Sequence, residues 1–544
     1  MFSMTKLINY IKLHKLLFIL FLLFILIRIP FLDQLNLLHD ERDIVLSGWS
    51  IAQTGKDLFG KSFPLVFENI SPNNPLFAIY FASLWFLIIP IKSVFLARLP
   101  FLLISALIVF ISFKLIKFIT GDDKKSLITT AVLCFNPWIF HITRLALDIP
   151  LAMVFLFGGI LLYLKKKKFL ALILFFLTAF TYQGSRLLLP FLLIYLELFF
   201  LIKQKSWKSF IINSLKNLVF IIFLILLASF MEPGISKNRL SEIIFFANEK
   251  NGPSIDFKRI TTLAPHQISR FFDNKLTYAI EEIFVSFTRG IDISYLFKTG
   301  DYSALNGNAT TGQFFFVFII FYFLGIVSLG KKVSLYDLYI LSLIPLGMIP
   351  ALLSTRGLTF SIRGVLSSLG YSYLIALGIV FFQRQFLKSK WKNYALAIFT
   401  LILSINLTYF IYGYYLRRPI TVGELFYEHE RQLANFLLQN NKPFTIYHQS
   451  PRDMILSYIF YRNENLNLNV IQKNLAQKNY SYDNLVFKKC NHKVNYSQTT
   501  NTIVHEVCLE KKAYDILSDI NNKKIKARIP YKDFSQKFAY FVIE

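Results

Sequence analysis

The first stretch able to do chemistry is Leu38-His39-Asp40-Glu41-Arg42-Asp43, directly after the first apolar block of the chain. A carboxylate at a membrane surface can ionise, yet the protein around it desolvates it in part, which suits a general base acting on a hydroxyl. Asp40 and Glu41 are the candidates. A second acid, Asp148, opens a later apolar block, and Arg144 precedes it by four positions, on the same face of a helix. Three more arginines stand at apolar borders: Arg98 before Leu99-Pro100, Arg186 after Tyr182-Gln183-Gly184-Ser185, and Arg363 in Phe360-Ser361-Ile362-Arg363-Gly364. Arginine at a membrane is costly, and its planar fork matches a phosphate group. Carboxylates that activate a hydroxyl, beside arginines that neutralise a phosphate, describe chemistry on a membrane-embedded phosphate. Each feature also has a plainer reading: solvated loop charge for Asp40 and Glu41, a helix-start ion pair for Asp148 and Arg144, snorkelling for a single arginine. The set as a whole points to a site.

Composition sets the elements that must position these residues. The chain has 544 residues, 55% hydrophobic and 17% charged, with a mean hydropathy of +0.49. A soluble domain keeps about 25% charged residues, so soluble, disordered, collagen-like and coiled-coil classes are excluded. The apolar residues form continuous blocks of about 17–25, the length of a membrane-crossing helix, rather than the alternation of a barrel. Blocks begin near Leu16, Pro75, Val94, Leu127, Ile149, Phe169, Leu187, Phe210, Phe314, Leu335, Gly364 and Tyr394. The first reads as a span rather than a cleaved leader, because no small-residue cleavage site follows it and Arg28 and Pro30 close it.

Orientation follows from the lysines. If the short block at 75–91, bounded by Pro75 and Pro90, enters the membrane without crossing, the basic clusters fall on one side. These are Lys6/Lys12/Lys15, Lys114/Lys117/Lys124/Lys125, Lys165 to Lys168, Lys203/Lys205/Lys208, Lys331/Lys332 and Arg384/Lys388/Lys390/Lys392. If it crosses, the tetralysine moves outside and the bias collapses. The positive-inside rule thus favours about eleven crossings, with the N-terminus cytoplasmic and the C-terminus outside. The same rule accounts for the net charge of +27, so no nucleic-acid partner is needed. The expected fold is an all-α polytopic membrane protein of about eleven transmembrane helices. It carries a large extracytoplasmic loop and a small C-terminal extracytoplasmic α/β domain. The expected division is a transmembrane domain at 1–416, with outer loops at 32–75 and 232–313, and a tail domain at 417–544.

In the tail, Val422 to Leu438 has helical amphipathicity, Phe444 to His448 and Asn501 to Leu509 read as strands, and Pro451-Arg452-Asp453 reads as a helix start. The tail shows no catalytic motif and reads as a docking or acceptor-facing domain. Cys134 lies in an apolar block as packing, whereas Cys490 and Cys508 can pair if the tail is extracytoplasmic. His39, Asp40 and His266 are the scattered metal candidates, and their spacing specifies no ligand geometry, so no metal is expected.

The features together resemble the C-type (GT-C) integral membrane glycosyltransferases, in the branch of protein O-mannosyltransferases and bacterial aminoarabinose transferases, over most of residues 15–415. Asp40-Glu41, then Thr54-Gly55-Lys56-Asp57 and Phe59-Gly60, is similar to the family's Asp-Glu, Thr-Gly-x-Asp and Phe-Gly. Arg98-Leu99-Pro100 resembles the arginine that opens the next span. Asn136-Pro137-Trp138 through Arg144 and Asp148 resembles its Pro-Trp, Arg and acidic run. Thr181-Tyr182 with Arg186 and Pro190, Leu296-Phe297-Lys298-Thr299-Gly300-Asp301, and Pro350 with Arg363 match later motifs in order. Two departures stand out. Where the family has Lys-Pro or His-Pro-Pro, this chain has Asn73-Asn74-Pro75, so the phosphate grip is altered or supplied elsewhere. Asp148 stands in no invariant family context.

The resemblance implies a hexosyl- or pentosyltransferase that uses a polyprenyl-phosphate-linked sugar at the outer face of the plasma membrane. Asp40 would take the proton of an acceptor hydroxyl as its oxygen attacks the anomeric carbon, with inversion. Glu41 would assist. Arg98, Arg144, Asp148, Tyr182, Arg186 and Arg363 would bind the donor, the arginines neutralising the phosphate charge that builds in the transition state. The partners implied are the lipid-linked sugar, an acceptor protein or glycan, and membrane lipids. No cofactor is expected, and no Gly-rich nucleotide loop is evident. The alternatives are a transporter or flippase of lipid-linked sugars, and a lipid-linked glycan polymerase or ligase. Charges gathered at one membrane border, rather than at the midplane, favour surface chemistry.

Overall fold

The computed structural model describes residues 4–67, 75–231, 252–301, 303–305, 307–308, 310–331, 333–354, 360–386, 392–440, 442–463, 466–490, 501–519, 521–522, 524–533 and 535–543. Asn73 and Asn74, the first part of the loop at 232–313, and residues 491–500 of the tail lie outside them. Among the described residues, five helices are long and apolar enough to cross a membrane: Val94–Thr120, Ser185–Gln204, Trp207–Met231, Leu335–Leu352 and Lys392–Thr421. Shorter apolar helices include Leu76–Ile88, Asp148–Leu164, Lys168–Thr181 and Phe318–Lys331. The protein is a multi-pass helical membrane protein with a small C-terminal sheet. The block at 75–91 forms a helix of 13 residues that ends at Ile88, before Pro90. At 1.5 Å per residue it rises about 20 Å, short of a bilayer core of about 30 Å.

The chain divides into two compact units. The first comprises residues 1–28, 102–143 and 148–414. Its helices pair along seams of small residues: Phe318–Lys331 lies against Ser367–Phe386, where a Cβ at Gly378 would overlap the Phe321 carbonyl and one at Gly325 the Leu374 carbonyl. Without a hydrophobic drive between helices in lipid, such close backbone approach supplies the packing. Asp148–Leu164 pairs with Lys168–Thr181 in the same unit.

The second unit comprises residues 29–101, 144–147 and 415–544. Helix His39–Thr54 packs on Leu76–Ile88 and on Pro451–Tyr461. The tail holds a six-stranded sheet of β1 (Phe444–His448), β2 (Ser481–Tyr482), β3 (Leu485–Lys489), β4 (Thr502–His505), β5 (Ile525–Pro530) and β6 (Phe538–Ile543), in the order β2-β3-β1-β4-β6-β5. β1 is parallel to both neighbours, β3 and β4, while β6 runs antiparallel to β4 and β5. Helices Pro451–Tyr461 and Leu468–Ala476 make the crossover from β1 to β3. Strand Phe444–His448 and the helix start at Pro451 fall where the pattern put them. The helix expected over Val422 to Leu438 is instead broken. Gly423–Phe426 is a 3-10 turn, Tyr427 takes a left-handed φ of 54°, and the helix runs Glu428–Gln439. The strand expected over Asn501 to Leu509 stops at His505 because a 3-10 turn at Glu506–Cys508 follows. Cys490 and Cys508 form a disulfide, and Cys134 is a buried free thiol.

Candidate active site

The predicted site residues fall in both units, and each group has its own geometry. In the second unit, Asp40 and Glu41 sit in the first turn of helix His39–Thr54 and face opposite environments. Asp40 is exposed. Glu41 is fully buried and bound by Arg98 through two hydrogen bonds of 2.9 and 2.8 Å. It also accepts the backbone N–H groups of Leu38 at 2.9 Å and Ala146 at 2.7 Å. Arg98 donates its remaining N–H groups to the carbonyls of Leu32, Leu35 and Asn36 at 2.8–3.0 Å. A guanidinium has five N–H donors, and the protein takes all five. Arg144, also buried, donates to the carbonyls of Pro30 and Phe31 at 2.9 and 2.8 Å and to the Tyr415 hydroxyl at 3.1 Å. Both arginines therefore hold the backbone that leads into the helix.

The next turn is held from the tail sequence. Arg42 is buried and donates to Glu430 at 3.0 Å, to Asp453 at 2.8 Å and to Ser457 at 3.0 Å. His39 reaches Glu430 at 2.8 Å and stacks on Tyr427 with ring centroids 3.5 Å apart. Arg452 pairs with Asp43 at 2.7 Å. Burial pushes the Glu430 carboxyl up, but the His39 hydrogen bond and the Arg42 charge outweigh it and hold the group well below the usual range. For Asp453 burial is outweighed in the same way by Arg42 and then His39. A dense charge network thus fixes both ends of the segment that presents Asp40.

In the first unit, Met153, Tyr182, Ser185, Leu188, Pro350 and Arg363 line a cavity. Arg363 hydrogen-bonds the Tyr182 hydroxyl, and Asp148 lies within electrostatic reach of that hydroxyl. Arg363 also donates to Ser354. Arg186, half-buried one residue beyond the cavity-lining Ser185, lies over the Phe180 ring at 4.9 Å and donates to the Ala179 carbonyl at 2.9 Å. Tyr182, Asp148 and Arg363 come together from three distant stretches.

Two motif residues explain how Arg363 is placed. Asn136 caps the helix Pro137–Ile142, with proline in the first turn, and this aims Trp138 inward, where its Nε1–H donates to the Ser361 carbonyl at 2.8 Å. Asp301 accepts the Ser361 N–H at 2.9 Å and the Ser361 hydroxyl. Asp301 follows Gly300, whose φ of 69° is open to glycine at little cost, and Leu296 and Phe297 bury the turn before it. Burial raises the Asp301 carboxyl, while Ser361, Ser303 and Arg363 draw it back. Ser361 is thus clamped from both sides, two residues before Arg363. It carried no sequence signal of its own beyond its place next to Arg363.

Of the metal candidates read from the sequence, His39 is committed to Glu430 and Asp453. A different trio, His429, His448 and His505, is buried and brings one ring nitrogen from each within 4.8 Å of the others. Sequence reasoning passed it over because these positions are far apart in the chain and in no ligand spacing. Burial holds the His448 ring below the ordinary imidazole value, and burial with His448 and His429 nearby takes His505 down to about 2.

Among solved structures, the chain is similar to the archaeal oligosaccharyltransferase AglB from Archaeoglobus fulgidus in complex with an inhibitory peptide and a dolichol-phosphate, at 13% identity and TM-score 0.42. That match covers 85% of this chain and 60% of the other, so the chain spans well under two thirds of AglB. It is also similar to ArnT from Cupriavidus metallidurans in the apo state, at 10% identity and TM-score 0.40, covering 99% of this chain and 98% of that one. The undecaprenyl phosphate-bound form of ArnT matches at 11% identity and TM-score 0.41, covering 98% and 97%. No protein-family model and no curated protein matches the chain.

Proposed function

We propose that this chain is an inverting membrane glycosyltransferase that moves a sugar from a polyprenyl-phosphate donor to an acceptor hydroxyl at the outer membrane face. The observation that carries the reading is the opposed placement of adjacent acids: Asp40 exposed, Glu41 buried and pinned. A base must meet its substrate and be held still, and the two positions divide that work. Asp40 takes the acceptor proton as the oxygen bonds to the anomeric carbon; the bond from that carbon to the phosphate oxygen breaks, and polyprenyl phosphate leaves. Glu41, Arg98 and Arg144 are positioning residues in this reading. Arg363 and Arg186 neutralise the leaving phosphate, with Tyr182 and Asp148 orienting the donor. The hydrogen-bonded Arg363–Tyr182 pair in the lining of the first unit's cavity supports that assignment. The Cys490–Cys508 disulfide supports an extracytoplasmic tail, because disulfides persist in oxidising compartments.

The test uses purified protein in liposomes with a panel of polyprenyl-phosphate sugars and a mixed acceptor extract. Release of free polyprenyl phosphate by the wild type, lost in Asp40→Asn with folding intact, is the expected result. Near wild-type release by Asp40→Asn would remove Asp40 as base. No release from any donor would shift the weight to the polymerase and transporter readings.

A further inference from the structure

The carboxyl ends of β1 and β4 are the place in the tail where an open α/β sheet offers a crevice. The chain leaves β1 for β3 on one side and returns as β4 on the other, with both neighbours parallel to β1. Ligands of such sheets sit beyond the carboxyl ends of the strands at this switch in strand order. His448 is the last residue of β1 and His505 the last of β4, one step beyond the paired Tyr447 and Val504. His429 comes from the first turn of helix Glu428–Gln439.

We propose that His429, His448 and His505 bind a first-row transition-metal ion of imidazole preference, with zinc as its representative, at the sheet switch point of the tail. All three side chains are buried, at 9%, 7% and 5% exposure. The Nε2 atom of His505 has no hydrogen-bond partner among the described residues. A buried polar atom left in that state is costly, and a bound ion removes the cost. The His429 ring is held as a ligand is. His429 places Nδ1 at 2.6 Å from the Glu424 carboxylate, whose other oxygen accepts the Lys532 N–H at 2.8 Å. A carboxylate on Nδ1 keeps the proton there, leaves the Nε2 lone pair for a metal and raises its basicity. His448 has both the Ser450 carbonyl, at 3.1 Å, and the Ser450 N–H, which donates at 3.0 Å, against Nδ1; the carbonyl serves the tautomer of His429 and the N–H serves the other.

Two adjustments accompany binding. Tetrahedral zinc with Zn–N bonds of about 2.0–2.1 Å puts its nitrogens about 3.3 Å apart. Nitrogens now within 4.8 Å must therefore each move inward by under ~1 Å. The Nδ1 of His505 accepts the Val507 N–H at 3.2 Å, which places the ring proton on Nε2. Binding through Nε2 breaks that long hydrogen bond, and the ring proton shifts from Nε2 to Nδ1, so the ligand stays a neutral imidazole. Tyr540 lies 4.8 Å from the His505 ring and Tyr531 lies 5.6 Å from the His429 ring, giving the site an aromatic wall. Three protein ligands leave a fourth position for water or an exogenous group. The ion would tie helix Glu428–Gln439 to the sheet, and this assignment is independent of the transferase reading.

The experiment uses the full chain, purified without a polyhistidine tag, stripped with EDTA and incubated with zinc alone or cobalt alone. Bound zinc is measured by mass spectrometry after free metal is removed. The wild type is expected to retain close to one zinc per chain and to give an intense tetrahedral cobalt spectrum. His448→Gln and His505→Gln should lose the ion, and Glu424→Gln should weaken it by ~10–100-fold. His266→Gln, at an exposed histidine outside the trio, should bind as the wild type does. A wild type that holds neither zinc nor cobalt overturns the proposal, as does undiminished zinc in folded His448→Gln and His505→Gln. Should those two variants fail to fold, Glu424→Gln and the wild-type cobalt spectrum decide it.

Discussion

Replacing Arg98 separates the two roles that its position allows. In Arg98→Met, the Glu41 carboxylate, with no exposed surface, loses two charge-assisted hydrogen bonds and keeps only the Leu38 and Ala146 N–H groups. Three carbonyls, those of Leu32, Leu35 and Asn36, lose their donor as well. Removing one partner of a buried ion pair costs about 3–5 kcal/mol, because the other charge stays behind unpaired. Glu41→Gln costs less, about 1.5–3 kcal/mol, since the guanidinium keeps its three carbonyl acceptors. The double variant removes both charges, so its cost should fall short of the sum of the singles by up to ~3 kcal/mol. Thermal and denaturant unfolding in detergent, followed by near-UV signals of the tryptophans, measures each term. The contrasting variant is Arg98→Lys. If Arg98 gripped donor phosphate, as the sequence alone suggested, Lys would weaken donor binding while stability held. The placement here predicts the reverse: Lys satisfies at most three of the five acceptor contacts, and stability falls first. Arg98→Met within ~1 kcal/mol of wild type, or singles that simply add, would refute the reasoning.

Three further outcomes follow from the geometry. Trp138→Phe and Asp301→Asn each release one side of Ser361, so both should raise the donor KM by several-fold or more with a smaller change in kcat. Equal loss in kcat and kcat/KM would instead place these residues in the transition state. Cys490→Ser opens a loop whose ends are 18 residues apart and should destabilise the tail by about 3 kcal/mol, read as a lower unfolding midpoint that reductant reproduces in the wild type. Asp453, held below its usual value in the fold, contributes stability that is present above its unfolded pKa of about 3.9 and is lost as pH falls through the lower folded value. Acid unfolding should steepen below about pH 4 in the wild type and flatten there in Asp453→Asn; an unchanged slope would exclude the ion pair as its source.

The sequence by itself determined the helical membrane class, since block length and continuity are local properties that the bilayer reads directly. It also determined the first strand and first helix of the tail, where alternation and a proline start are local signals. It singled out Asp40, Glu41 and Arg363 as candidates, because acids and arginines at apolar borders are rare enough to notice, and Tyr182 only through the resemblance of Thr181-Tyr182 with Arg186 to a family motif. The tertiary structure alone decided what those side chains face. Asp40 and Glu41 are neighbours in sequence and alike in chemistry, yet a helical turn of about 100° per residue sends one to solvent and the other to Arg98. The break at Tyr427 was hidden because amphipathic spacing runs through the 3-10 turn without interruption. The clamp of Trp138 and Asp301 on Ser361 joins residues 223 and 60 positions apart, and the convergence of His429, His448 and His505 joins three separate elements of the tail. Such contacts depend on packing and strand order, and neither periodicity nor spacing along the chain encodes them.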